Sequence, residues 1–179
     1  MKLLAISGSA RAASTNTALL LALAKASPQD VDIEVVHDLH LLPVFSPDLE
    51  GDKAPPKVRD FIAKIEQADG VIISSPEYVH AIPGGLKNAI DWLVSGEAII
   101  DMPVVLIHGS HRGEDMLASL RLVLGTVTSG FHQQIFQRFS LISLSPDEVK
   151  ETLDQPENID LMRDFIAKFT DAISKPRSL

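Results

Sequence analysis

Short apolar runs alternate along this chain with longer stretches in which apolar residues recur at helical spacing. The runs at residues 2–7, 31–37, 70–75 and 104–108 predict strands, and a fifth strand is predicted at 132–136, with 139–142 as its competitor. Residues 71–73 and 104–107 are apolar at every position, which is typical of central strands covered on both faces. The alternation therefore predicts an α/β fold, in which a parallel sheet carries helices on both faces.

Helices are predicted between these strands and after the last of them. Residues 17–26 are rich in Ala and Leu, Pro56 and Pro83 lie where further helices would begin, and residues 43–56 and 145–158 are interpreted as loops. Apolar stripes mark the other helices at Val58/Ile62/Ile65, Leu86/Ile90/Leu93, Leu117/Leu120/Leu124 and Met162/Phe165/Ile166/Phe169/Ile173. Five strands fit the flavodoxin-like order 2-1-3-4-5, which places a ligand between the first and third strands.

Size and charge narrow the class of protein. A chain of 179 residues, 45% hydrophobic and 22% charged, is expected to form one globular domain over residues 1–179. The net charge of −8 argues against a nucleic-acid surface and against binding to anionic membranes. The absence of cysteine excludes disulfides and thiolate chemistry, and no signal peptide or bilayer-spanning run is recognised. We therefore expect a cytoplasmic protein that does not bind membranes.

The loop that follows the first strand has the composition of a phosphate-binding site. A helix start offers free backbone N–H groups to an anion, and Ser9, Ser14 and Thr15 add hydroxyls, Asn16 an amide and Arg11 a charge. The loop lacks both the Gly-x-Gly-x-x-Gly fingerprint and the Gly-Lys-Ser/Thr of triphosphate sites. A terminal monophosphate bound without a metal is therefore favoured. The alternative is an ordinary helix cap beside an exposed arginine.

Two further loops are expected at the same edge of the sheet. Pro76, Glu77 and Tyr78 follow the third strand, where an aromatic ring can form a wall for a flat ligand, although Tyr78 taken alone fits a packing role equally well. Residues 108–114 follow the fourth strand and contribute two glycines and polar side chains. The six histidines show no metal-ligand spacing, so no metal site is predicted.

Two motifs carry a resemblance to a known family. The chain resembles the NAD(P)H-dependent FMN reductase family, which includes chromate, quinone and azo-dye reductases, in Gly8-Ser9-x-Arg11-x-x-Ser14-x-Asn16 and Pro76-Glu77-Tyr78-x-x-x-Ile82-Pro83-Gly84-x-Leu86-Lys87-Asn88-Ala89-Ile90-Asp91-Trp92. The element order is similar over nearly the whole chain. The resemblance implies a flavodoxin-like fold that binds FMN noncovalently, in a homodimer or homotetramer with the flavin near the subunit interface.

By the same resemblance, Ser9, Arg11, Ser14, Thr15 and Asn16 would hold the FMN phosphate. The ring would be bordered by Pro76, Glu77, Tyr78, Val79, Ser110 and Gly113. The chain departs from the family pattern in having Val79 where Asn is usual and Ala81 where Ser is frequent, and Gly113-Glu114 replaces paired glycines. Val79 and Ala81 thus remove a side-chain amide and a hydroxyl near the ring.

The function that this implies is an oxidoreductase in which NADPH or NADH passes a hydride to FMN. The flavin then reduces a small-molecule acceptor, such as a quinone, a flavin, an azo compound or a metal oxyanion. No catalytic side chain is required, because the flavin carries the chemistry. Arg112 and Arg121 are candidates to meet the extra phosphate of NADPH, and Trp92 fits either a core or an interface.

Two alternatives remain open from the sequence. The first is an FMN-binding electron carrier or sensor with little turnover, which Val79 favours. The second is a serine hydrolase with Ser9 as nucleophile, since small α/β esterases also carry a serine after the first strand. A hydrolase needs a base histidine and an orienting acid. His132 follows Ser129-Gly130-Phe131 and lacks the Asp-x-x-His context of those esterases.

Overall fold

The computed structural model describes residues 1–94 and 96–175. Its centre is a five-stranded sheet in the order β2-β1-β3-β4-β5, and every neighbouring pair is parallel. The strands are β1 (Lys2–Ser7), β2 (Asp32–Val36), β3 (Gly70–Ser74), β4 (Val104–His108) and β5 (Phe131–Arg138). The predicted fold class and strand order are therefore confirmed.

Helices cover both faces of this sheet and bury two apolar layers. Leu4, Ile73 and Leu106 belong to the first layer, and their strand neighbours Leu3, Ile72 and Val105 to the second, as the two-residue period of a strand requires. The first layer packs against α2 (Pro56–Glu66), α3 (Gly84–Val94) and α4 (Glu114–Val127). The second packs against α1 (Thr15–Ala26), α5 (Pro146–Leu153) and α6 (Pro156–Ser174). The predicted apolar stripes lie on these helices.

The loop predicted at residues 145–158 was wrong, because this segment contains α5 and the start of α6. Ser145 accepts a hydrogen bond from the Glu148 amide, and the Glu148 carboxylate accepts one from the Ser145 amide at 2.7 Å. This reciprocal pair is a capping box, which satisfies two amides at a helix start. Val149 and Leu153, four residues apart, are buried on the same side of α5.

The last strand follows the first of the two alternatives considered. β5 extends over residues 131–138, whereas the competing segment at 139–142 lies outside the sheet strands. Its apolar character has a packing reason, since Phe139 and Leu141 are buried against the second layer. The segment is held to the neighbouring strand end, because the Phe139 amide donates to the His108 carbonyl at 2.8 Å.

Trp92 is a core residue. Its side chain is only 1% exposed, its Nε1 donates to the Pro43 carbonyl at 2.8 Å, and Phe45 meets it edge-on at 5.1 Å between ring centroids. The core alternative is thus the correct one for this side chain. Among the helices in the described residues, none is long and apolar enough to cross a bilayer.

Candidate functional site

A cavity of about 310 Å³ lies at the carboxyl edge of the sheet, beside the ends of β1, β3 and β4. Three loops line it: loop one (residues 8–14 with the start of α1), loop two (residues 75–83) and loop three (residues 109–113). The volume lies within the range that encloses small organic ligands. The lining residues are Thr15, Asn16, Ser75, Pro76, Glu77, His108, Gly109, Ser110, Arg112, Gly113 and Ile142.

Loop one leaves unpaired donors at the start of α1. Ser14 caps the helix, and its Oγ accepts from the Thr17 amide at 3.2 Å, while Ser9 Oγ accepts from the Arg11 amide at 3.2 Å. Within residues 1–94 and 96–175, the amides of Thr15 and Asn16 donate to no protein group. These amides and the helix dipole together favour an anion at this position.

Asn16 connects loop one to the third strand. Its Oδ1 accepts a hydrogen bond from Ser74 Oγ at 2.9 Å, and both residues are buried. Because the amide oxygen is used in this way, the Asn16 NH₂ group remains as a donor. Loop one also packs tightly against loop two, since a Cβ added at Gly8 would lie 2.6 Å from Ser75 Oγ. Glycine is therefore required at position 8 for the two loops to approach.

The structure does not bring every predicted residue to this cavity. Arg11 and Ser14 line a neighbouring groove of about 210 Å³, between α1 and α5, and Thr15 borders both spaces. Ser9 is buried behind the loop. The cavity is lined by Thr15, Asn16, Pro76, Glu77, Ser110 and Gly113, whereas Ser9, Arg11, Ser14, Tyr78 and Val79 lie outside its lining.

Loop two is a tight turn that presents two apolar side chains. Tyr78 and Ala81 exchange backbone hydrogen bonds of 3.2 and 3.0 Å, and the residues between them, Val79 and His80, have φ angles of 52° and 58°. Such left-handed angles are costly for residues other than glycine. Tyr78 is 46% exposed and Val79 is 95% exposed, so neither side chain belongs to the core. The packing alternative for Tyr78 therefore does not apply.

Glu77 points its carboxylate at α4. Glu77 Oε2 accepts a hydrogen bond from the Met116 amide at 3.0 Å, and His80 Nδ1 lies 2.6 Å from Asp115 Oδ2. Glu77, His80 and Asp115 thus bring three potential ligand atoms within 4.8 Å of one another, a grouping that the spacing of histidines along the chain did not indicate. Both contacts join loop two to the first turn of α4, which accounts for the grouping without a cation.

Loop three is built around His108. This side chain is 2% exposed, and its Nε2 lies 2.7 Å from the Arg112 carbonyl, so Nε2 carries the proton. Burial is the main cause that lowers the pKa of His108, although the hydrogen bond to Arg112 opposes it. Gly113 has a φ of 99°, and a Cβ at that position would lie 3.0 Å from His108 Nε2. The neutral His108 ring therefore packs against loop three and stabilises it.

Sequence reasoning missed His108 as a structural part of the site. It treated this residue as one polar member of loop three, although a histidine that directly ends a fully apolar strand is a signal for a buried ring. Ser75 and Ile142 also line the cavity and were not singled out. Ile142 belongs to the competing strand segment, which follows β5.

The geometry gives no support to a hydrolase. Ser9 follows the carboxyl end of β1, whereas His132 lies near the amino end of β5, whose first residue pairs with the first residue of β4. Ser9 thus lies beyond the carboxyl ends of the strands, whereas His132 lies near their amino ends. In the described residues no histidine hydrogen-bonds to Ser9, whose Oγ accepts from the Arg11 amide. The base required by a serine nucleophile is missing from this part of the chain.

Comparison with known proteins agrees with the fold and the loops. A family model described as NADPH-dependent FMN reductase matches residues 1–136, about three quarters of the chain. The chain belongs to the NADPH-dependent FMN reductase family. All three loops lie within the matched residues, so the predicted resemblance is confirmed. The strand that ends the match is β5, and α5 and α6 follow it.

Relatives and a solved structure extend this result. The chain is 38% identical to the NADH:(hydroxy)cinnamate reductase subunit CrdA of Vibrio ruber over 112 residues, 62% of this chain and 54% of that protein. It is 34% identical to a quinone reductase of Escherichia coli over 118 residues, 63% of this chain and 61% of that protein. The chain thus spans between half and two thirds of these relatives' length.

A solved structure matches almost throughout. It is the flavoenzyme NAD(P)H:(acceptor) oxidoreductase FerB from Paracoccus denitrificans, with a TM-score of 0.78 and 25% identity over 96% of both chains. The fold of this FMN reductase family member is therefore that of a known flavoenzyme.

Proposed function

We propose that this chain binds FMN in the cavity and uses NADPH or NADH to reduce a small-molecule acceptor. One observation supports this proposal above the others. The backbone amides of Thr15 and Asn16, at the start of α1, have no acceptor in the described residues and lie beside a cavity that loops two and three also line. Membership of the FMN reductase family supports the same ligand. The donor set fits a phosphate monoester, because it offers amides and hydroxyls and needs no metal.

The residues divide into a phosphate part and a ring part. Thr15 and Asn16 hold the phosphate with their amides at the border between the cavity and the neighbouring groove. Ser9, Ser14 and Arg11 lie outside the lining of the cavity, and they add hydroxyl protons and a positive charge from the side of loop one. The side chains of Ser9 and Ser14 accept from backbone amides, so their O–H groups remain available as donors. The ring part consists of Pro76, Glu77, Tyr78, Val79, Ser110 and Gly113.

Bound FMN supplies the redox chemistry, accepting a hydride from the nicotinamide and passing electrons to the acceptor. The protein binds the cofactor and leaves one side of the site open, first to the nicotinamide nucleotide and then to the acceptor. The exposed Tyr78 and Val79 provide an apolar border on which flat substrates can pack. Because the Val79 side chain has no amide or hydroxyl, the Tyr78 hydroxyl is the hydrogen-bonding side-chain group that this border offers to a substrate, beside its apolar surface.

Flat oxidised compounds, with quinones as the first choice, are the proposed acceptors. The relatives in Escherichia coli and Paracoccus denitrificans, named quinone reductase and NAD(P)H:(acceptor) oxidoreductase, support this class. Of the two arginines considered for the NADPH phosphate, Arg112 lines the cavity and is exposed. Arg121 packs over the Phe136 ring at 4.9 Å on the flank of the sheet. We therefore assign Arg112 to that contact.

The proposal is tested by mixing the FMN-loaded protein with NADPH or NADH without oxygen, then adding a quinone. The expected result is bleaching of the yellow flavin absorbance, followed by its recovery as the quinone is reduced. Steady-state NADPH oxidation with the quinone at a rate far below that of other reductases would favour the carrier or sensor. A flavin that stays oxidised with both nucleotides would refute the reductase.

We also propose that the chain forms a homodimer or homotetramer and works in the cytoplasm. Exposed apolar side chains support assembly, with Val44, Val79 and Leu122 the most exposed among those described. The cytoplasm is where reduced nicotinamide nucleotides are supplied. Light scattering on the purified protein tests the first part, because a mass of one chain, 19.4 kDa, would contradict it.

A further inference from the structure

The start of α4 has no cap of its own. Its N-cap residue is Gly113, which has no side chain to accept a hydrogen bond, and its φ of 99° is in the left-handed region. An uncapped helix start leaves amide protons without partners, and a side-chain acceptor normally satisfies one of them. Here the acceptor comes from elsewhere in the chain. Glu77 Oε2 receives the Met116 amide at 3.0 Å, although 39 residues separate the two.

Met116 is the third residue of α4, the position whose amide an ordinary N-cap side chain satisfies. The Glu77 carboxylate therefore takes the place that a Ser, Asp or Asn at position 113 would occupy. Its negative charge also lies at the positive end of the helix dipole. A Cβ added at Gly113 would lie 3.7 Å from the Glu77 Cβ, so the two backbones pass close together.

A second contact joins the same two segments. His80 Nδ1 lies 2.6 Å from Asp115 Oδ2 in the first turn of α4, and 3.8 Å from Glu77 Oε1. Both His80 and Val79 are held at left-handed φ angles. Strained angles of this kind persist only where surrounding contacts compensate for them. Glu77 and His80 flank the strained Val79 on both sides and attach the turn to α4.

We propose that Glu77 is a positioning residue, which caps α4 from loop two and thereby fixes loops two and three relative to each other. Its carboxylate binds the helix, so Glu77 borders the flavin ring with its backbone and not with its carboxylate. Tyr78 and Val79 on one side, and Ser110 and Gly113 on the other, are then held as one unit around the cavity. The consequence for FMN rests on the proposed function, whereas the cap itself belongs to the free protein.

The experiment compares three variants of the full chain with the wild type. Glu77→Ala removes the acceptor, Glu77→Gln keeps a side-chain oxygen of the same reach, and Glu151→Ala is the control. Glu151 is an exposed glutamate on α5 whose carboxylate makes no hydrogen bond or ion pair within the described residues. Amide hydrogen exchange is followed without FMN at Met116, Tyr78 and Ala81. The FMN dissociation constant is measured separately by quenching of flavin fluorescence.

In Glu77→Ala we expect the Met116, Tyr78 and Ala81 amides to exchange about 5–30 times faster than in the wild type, the range that the loss of a helix cap produces. FMN binding should weaken by a similar factor. Glu77→Gln should restore both within about threefold, because a neutral amide oxygen is a weaker acceptor than a carboxylate. Glu151→Ala should match the wild type in both measurements.

Two results would overturn the positioning role. Weaker FMN binding with unchanged exchange at all three amides would show that Glu77 contacts the ligand directly. Faster exchange at Met116 alone, with Tyr78 and Ala81 unchanged, would show a cap that does not fix loop two. If wild-type protein fails to bind FMN, the proposed function is wrong, while the exchange data still decide the role of Glu77. If Glu77→Ala does not fold, Glu77→Met takes its place, because its side chain has a similar length and lacks a strong acceptor.

Discussion

Replacing Gly113 with alanine tests how closely loop three is fitted around the His108 ring. Gly113 has a φ of 99°, and the new Cβ would lie 3.0 Å from His108 Nε2 and 3.2 Å from Cε1. The left-handed angle costs a non-glycine residue about 1–2 kcal/mol. A displaced ring also weakens the 2.7 Å hydrogen bond to the Arg112 carbonyl, which is worth about 1 kcal/mol. We therefore expect a loss of about 2–3 kcal/mol in the free energy of unfolding.

The chain offers a matched control in the same helix. Gly125 is inside α4, and a Cβ there would meet nothing within 4 Å. Gly125→Ala should raise the free energy of unfolding by about 0.5–1 kcal/mol, because alanine loses less backbone freedom in a helix. Equilibrium unfolding in urea measures both variants. If the free energy of unfolding of Gly113→Ala lies within 0.5 kcal/mol of the wild-type value, loop three is not closely fitted around the His108 ring.

Three further predictions concern His108, Ser145 and Ser14. Burial lowers the pKa of His108 in the folded protein, so on acidification the unfolded chain takes up a proton at a higher pH than the folded protein does. The free energy of unfolding should therefore fall as the pH drops below the ordinary histidine pKa of about 6.5, by at most about 1.4 kcal/mol per pH unit. His108→Gln keeps a donor for the Arg112 carbonyl, so its urea stability should decline less steeply with acid; parallel curves would contradict this. Ser145→Ala should cost about 1 kcal/mol in urea unfolding through loss of the capping box, and an unchanged midpoint would contradict the cap. Ser14→Ala removes the acceptor for the Thr17 amide and a phosphate donor, so both urea stability, by about 1 kcal/mol, and FMN affinity should fall; unchanged affinity would exclude Ser14 from the phosphate site.

The sheet could be predicted because the central strands contain short runs of consecutive apolar residues. Residues 71–73 and 104–107 are buried. A parallel sheet with helices on both faces removes the side chains on both sides of such strands from water. Parallel strands then bring their following loops to one edge. The general position of loops one, two and three follows from this alone.

Helix α5 was missed because it is short and has few apolar residues. Only Val149 and Leu153 are buried, and eight residues are too few to show a helical period. The sequence did contain a signal, since Ser145 and Glu148 have the spacing of a capping box. That signal describes a local hydrogen-bond pattern, so it can be recognised without any knowledge of the tertiary fold.

The detailed roles in the site could not be read from the chain. Glu77 and Met116 meet only because loop two lies against the first turn of α4. A motif shows that a glutamate is present, but it does not show what the glutamate contacts. Arg11 turns toward the groove between α1 and α5, whose helix α5 was not expected. The orientation of a side chain depends on neighbours far away in sequence, and spacing along the chain carries no such information.

The central claim is that FMN binds where loops one, two and three meet, with its phosphate on the Thr15 and Asn16 amides. A titration of the ¹⁵N-labelled protein with FMN, followed by amide chemical shifts, tests it most directly. We expect saturable shifts, largest at Thr15 and Asn16 and extending to the residues that flank Pro76 and to Gly113. Shifts confined to another surface, or none at all, would contradict it.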